Sequence, residues 1–180
     1  MFGFSASAPR LVRRRRFSKD DGGATAVEFA LVSVPFFALV FAIIETALVF
    51  FAGQVLENGV TDASRIVRTG QAQQMGLDQA AFKERLCSRV TGLFNCEGGI
   101  KLDVRTVGSF GSIDLSNPID EDGNLEENFT FDPGGSGDIV VVRAFYEWPT
   151  FVPNLGNDLS NLGNGRRLLA SAAVFRNEPF

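Results

Sequence analysis

Residues 24–52 read ATAVEFALVSVPFFALVFAIIETALVFFA, an almost unbroken apolar run in which Glu28 and Glu45 are the only charges. An α-helix rises about 1.5 Å per residue, so about 20 such residues cross a hydrocarbon core of about 30 Å. The run predicts a membrane-spanning helix with length to spare for tilt. It is too long for a cleaved secretory signal, whose apolar region is about 7–15 residues and ends at a small-residue cleavage site. Pro35 lies mid-run and lacks an amide hydrogen, which predicts a kink between residues 31 and 35.

Beyond residue 52 the pattern becomes two-sided. Val55, Leu56, Gly59, Val60, Ala63, Ile66 and Val67 recur at three- and four-residue steps, with Glu57, Asp62, Arg65 and Arg68 opposite. The same helix is therefore predicted to continue as an amphipathic extension over residues 53–70, ending near Thr69 at Gly70. A second helix is predicted from Asp78, a good N-cap, to Thr91, with Phe82, Leu86 and Val90 as its stripe and Gly92 as its stop.

Three strand-like runs follow. Residues 100–107 alternate apolar and charged side chains, the mark of a half-buried strand whose charges face water. Residues 138–148 are richer in β-branched side chains and read as central. Residues 168–176 form the third run, although their alanines also suit a helix. Two long Gly/Asn/Asp/Pro-rich connections, 108–137 and 149–165, separate them, and no internal repeat is present. This order predicts an α+β chain in which a long N-terminal hydrophobic transmembrane helix runs into a small exported domain with a second helix and a short antiparallel sheet. The parts are a basic leader (1–23), the span (24–52), its helical extension (53–70) and the α+β domain (71–180).

Charge gives the span a direction. The formal charge of −4 divides into +4 over the first 23 residues, from six basic groups (Arg10, Arg13, Arg14, Arg15, Arg16 and Lys19) against Asp20 and Asp21, and −8 over the remainder, from 11 basic and 19 acidic groups. Residues 53–64 carry no basic side chain. The positive-inside bias then places the leader in the cytoplasm and everything after residue 52 outside, as a single-pass protein of a bacterial inner membrane. A basic tail alone would also suit nucleic acid, but the apolar run behind it assigns the tail to the membrane instead. The chain has no His, which excludes zinc hydrolases and Ser-His-Asp or Cys-His mechanisms. Its carboxylates show no catalytic spacing. Neither an enzyme nor a cofactor is expected.

The start of the span has a specific layout: Arg13-Arg14-Arg15-Arg16-Phe17-Ser18-Lys19-Asp20-Asp21-Gly22-Gly23-Ala24-Thr25-Ala26-Val27-Glu28-Phe29. A short basic leader ends in glycine, and an apolar helix follows with glutamate at its fifth position. This resembles the prepilin-type leader of type IV-like pilins and pseudopilins, and is most similar to the TadE-like proteins of the tight-adherence (Flp pilus) machinery. The resemblance implies cleavage after Gly23 by a prepilin peptidase, with Ala24 as the new N-terminus; Gly22 offers an alternative cut. It implies that Glu28 sets helix register during assembly, next to Phe29 where Tyr is usual in the family. It also implies a general pilin-like plan, with other Tad pilins or pseudopilins and Tad platform proteins as partners in an adhesive pilus.

Cys87 and Cys96, the only cysteines, fall on the exported side, where a structural disulfide between them is expected. The acidic stretch 120–127 places Asp120, Asp122 and Asn124 as the first, third and fifth positions of an EF-hand loop. Leu125 then stands where Gly is required and Phe131 where Glu is required. A solvated loop is the reading. The aromatic patch from Phe145 to Phe151 suits either the domain's own core or a subunit contact. Two other functions fit the composition: an uncleaved periplasmic binding or scaffold protein, and a tethered enzyme working through acidic groups.

Overall fold

The computed structural model describes residues 23–90, 92–96, 98–151 and 158–180. The basic leader up to Gly22, the alternative cut at Gly22 and the expected helix end at Thr91 lie outside them. Helix α1 (Ala24–Arg68) is followed by a single turn, α2 (Gln71–Gln74), and by α3 (Gln79–Arg89). Three strands come next: β1 (Ile100–Val107), β2 (Ile139–Pro149) and β3 (Arg166–Arg176). The chain divides into two compact units, Met1–Leu39 and Val40–Phe180.

The described part of the first unit is the N-terminal stretch of α1. Val27, Phe29, Leu31, Val32, Val34, Phe36, Phe37 and Leu39 are all exposed there, and the helix runs through Pro35 without a break. A helix apolar on every side is stable only where something apolar surrounds it. By length and composition α1 qualifies as a membrane span.

In the second unit, residues 40–68 of α1 acquire a buried side. Ala52, Leu56, Val60, Ala63 and Val67 are buried at the expected three- and four-residue steps, together with Gly59. A Cβ on Gly59 would come within 2.6 Å of the Val90 side chain, so glycine is what lets the end of α3 close on α1. Gly70 takes a φ of +75° and turns the chain out of the helix; the Phe180 ring occupies the space a side chain would need there. The Asp78 carboxylate caps α3 by accepting from the Ala81 amide at 2.8 Å.

The sheet is antiparallel with β2 in the centre, Val104 opposite Val142 and Val142 opposite Ala173. One face (Ile100, Leu102, Val104, Val140, Val142, Ala144, Leu169) packs in a single core with the buried side of α1 and with Phe82, Leu86 and Val90 of α3. The other face is covered as well. Phe145, Leu162 and Leu168 form a second core with Ile119, Leu125 and Phe129 from the long β1–β2 connection, and Phe129 stacks on Phe145 with ring centres 5.5 Å apart. The half-buried alternation expected for β1 holds at Arg105, which is exposed, and at Lys101, which is half-buried, but is corrected at Asp103, which is 1% exposed because this connection folds back over it.

Cys87 and Cys96 form the expected disulfide, with Cα atoms 5.8 Å apart. It ties the end of α3 to the segment that sets Phe94 edge-on against Tyr146 (4.9 Å) and Trp148 (6.0 Å). Most of the aromatic patch is core: Phe145 and Trp148 are buried and Tyr146 is half-buried, while Phe151 stays exposed. Changing both cysteines to Ser should cost roughly 2–3 kcal/mol, read as a fall of about 6–12 °C in the melting temperature; an unchanged melt would assign that order to the aromatic contacts alone.

Candidate functional site

Gly23, Ala24, Glu28 and Phe29 lie together at the start of α1. Gly23 stands in the turn just before the helix and is exposed, and a Cβ built on it meets nothing within 4 Å. Ala24 and Glu28 are four residues apart on one helix, hence neighbours on one face. Glu28 is exposed, and it is the only charged side chain from residue 23 to residue 39. An amine at Ala24 and a carboxylate at Glu28 would meet on that face, on this helix or between two of them. The chemistry open to such a site is ion pairing.

Glu45, the other carboxylate of the apolar run, is placed differently. It is 4% exposed, on the covered side of α1, and its Oε1 accepts a hydrogen bond from the backbone amide of Phe151, just past the end of β2. This partner lies 106 residues away in sequence. Only the strand topology brings it there.

Among the described residues, Asp103 is the most heavily bonded acid. One carboxylate oxygen accepts from Arg143 Nε (3.1 Å) and Nη2 (2.7 Å), and the other from Arg105 Nε (2.8 Å) and the Thr130 amide (3.1 Å). Arg143, directly opposite on β2, also donates to the carbonyls of Asp114 and Ser116. Burial acts to raise the Asp103 carboxyl, but the hydrogen bonds from Arg105, Arg143 and Thr130 outweigh it and hold the group below the ordinary carboxylate range. The cluster is saturated by its own partners. It is a structural clasp.

In the acidic stretch, Asp120 is satisfied within its own turn and Glu127 pairs with Lys101 of β1 at 3.0 Å. Asp120 accepts from the amides of Asn124 (2.7 Å) and Asp122 (3.0 Å), and these bonds, that from Asn124 foremost, draw its carboxyl down. Ile119 and Leu125 bridge across the turn. Among the described residues no group of three or more Cys, Asp or Glu is arranged to hold a metal ion. The sequence therefore located the helix-start residues and the disulfide, but missed the Asp103 clasp and the Glu45 contact. Opposite charges at matching places on two strand runs were the available signal for the clasp; the Glu45 contact had none.

Residues 23–65 match the model for the TadE-like protein family, the family that the leader and helix start resemble. The match begins at Gly23 and stops three residues before the end of α1. No curated protein and no solved structure matches the chain.

Proposed function

We propose that this protein is a TadE-like minor pilin or pseudopilin, a membrane-anchored structural and assembly component of a Tad (Flp) pilus and secretion system. Residues 24–52 hold it in the bacterial inner membrane, with the leader in the cytoplasm and the α+β domain on the periplasmic side. The observation that carries this reading is the family match beginning at Gly23, directly before a single long helix that starts at Ala24 and bears Glu28 one turn in.

A prepilin peptidase cuts after Gly23 and leaves an α-amine at Ala24. With a reference pKa of about 8, that amine is mostly cationic at neutral pH. It pairs with Glu28, on the same helix or on a neighbouring subunit, while the exposed apolar surface of α1 packs against other Tad pilins. The domain then primes, caps or regulates the growing pilus against the platform proteins. Binding and packing do the work, without a reaction on this chain.

The mature N-terminus tests this. Intact mass or N-terminal sequencing from cells carrying the peptidase should give Ala24 as the first residue. An intact Met1 in those cells would sink processing and favour an uncleaved periplasmic scaffold.

A further inference from the structure

Residues 40–51 of α1 belong to the same compact unit as the sheet, yet they expose an apolar surface. Leu48, Phe50 and Phe51 are 41%, 75% and 59% exposed. The two polar side chains in this stretch are accommodated within the protein. Thr46 donates its hydroxyl to the Ala42 carbonyl at 2.8 Å, and Glu45 is covered and accepts from the Phe151 amide. The first exposed polar side chain beyond them is Gln54. Nothing exposed from residue 40 to residue 51 calls for water.

Phe151 extends this surface. Its amide is fixed to Glu45, yet its own side chain is 68% exposed. Six residues of helix separate Glu45 from Phe51, about 9 Å at 1.5 Å each. Phe151 therefore stands nearer the N-terminal end of α1 than Phe50 and Phe51 do. Residues 40–51 are the last part of an apolar run of 28 residues that begins at Ala24, and about 20 are enough to cross a hydrocarbon core. The end of the run therefore has length to reach the outer headgroup layer. An exposed patch of this kind marks an interaction site, and its continuity with the span identifies the occupant as lipid.

We infer that the α1 end of the α+β domain is embedded in the outer leaflet, with Phe151 as a second apolar anchor beside Phe50 and Phe51. This rests on the membrane-anchored reading proposed above. Phe50 and Phe51 lie in the headgroup layer, as apolar side chains of interfacial helices do, and Phe151 lies at its inner boundary. The Glu45 carboxylate is the latch that carries the post-β2 backbone down to that depth. With two points of contact, the domain keeps a fixed height and rotation at the bilayer before it meets any other subunit.

The test uses the full chain in phosphatidylethanolamine/phosphatidylglycerol vesicles, with and without lipids brominated high on the acyl chain. Phe151→Trp and, separately, Phe51→Trp are compared with the parent, whose single Trp148 is buried. The Phe151 tryptophan should lose about half its emission in brominated vesicles, the Phe51 tryptophan in the headgroup layer markedly less, and the Phe151 tryptophan should be shielded from iodide. If the Phe151 tryptophan stays bright and open to iodide while alkaline carbonate leaves the chain in the membrane, the embedded end is overturned and the anchor stands. Shielding of the Phe151 tryptophan from iodide without loss to bromine identifies a protein neighbour as the occupant, which also overturns it. If carbonate strips the chain from the vesicles, both the anchor and this inference fail.

Discussion

Asp103→Ala is expected to destabilise the α+β domain by roughly 3–5 kcal/mol, the cost of leaving a buried charge without its partner. That is a large part of the roughly 5–15 kcal/mol that holds a typical domain folded. Arg143 is the residue left behind. It is buried, sits beside the Phe145 ring at 5.4 Å, and keeps only the Asp114 and Ser116 carbonyls, which cannot neutralise it. Arg105 and the Thr130 amide lose the same acceptor, so the connection over the outer core loosens too. Replacing Asp103 and Arg143 together by Leu should cost less than Asp103→Ala alone, because no unpaired charge remains. Urea unfolding of the full chain in detergent measures both. A loss below about 1 kcal/mol for the single variant would mean that water reaches Arg143.

The depressed Asp103 carboxyl also fixes how this stability depends on pH. Its contribution is complete above the unfolded-state value of about 3.9 and is lost as pH falls through the lower folded-state value. Acid unfolding of the wild type should therefore be driven partly by this group below about pH 4. In Asp103→Asn that part of the slope disappears, and the domain is weaker throughout the neutral range.

Local signals in the sequence went far because most of this fold is built locally. The span is a matter of length and apolarity. The buried side of residues 52–67 follows helical spacing, and the ends of the first two long elements rest on single residues, Gly70 and the Asp78 cap. β1 was legible from alternation and β2 from β-branching, while the alanine-rich third run also suited a helix and its pairing with β2 settles it as a strand. What escaped was long-range. Asp103 reads as a solvated charge until residues 113–131 are known to return over the sheet, and those residues carry only scattered apolar anchors (Ile119, Leu125 and Phe129 in the second core, Phe131 against the first) among turn formers. Glu45 reads as an oddity of the membrane helix until β2 delivers Phe151 to it. The start of α1 at Ala24 was legible as well, because a helix start is a local structure.

Glu28→Gln should leave insertion and domain folding intact yet remove the chain from assembled pili. The substitution keeps the size and most of the hydrogen-bonding capacity of the side chain, so the apolar run still enters the bilayer, and more readily than with a carboxylate. Everything from residue 40 onward is untouched. What changes is the pairing proposed for the cleaved amine at Ala24: in an apolar bundle it is left as an uncompensated charge, costing roughly 3–5 kcal/mol per subunit. At 1.4 kcal/mol per tenfold, incorporation falls by roughly two to four orders of magnitude. Glu28→Asp separates charge from reach. It keeps the carboxylate but shortens the side chain by one methylene, so it should restore incorporation in part, which a simple effect of polarity would not explain. The measurement is the amount of the chain in sheared pilus fractions relative to membrane fractions, with the mature N-terminus sequenced in each variant. Normal incorporation of Glu28→Gln with Ala24 exposed would refute the pairing, and would leave α1 to find its register through Phe29 and the other apolar side chains of its first turns.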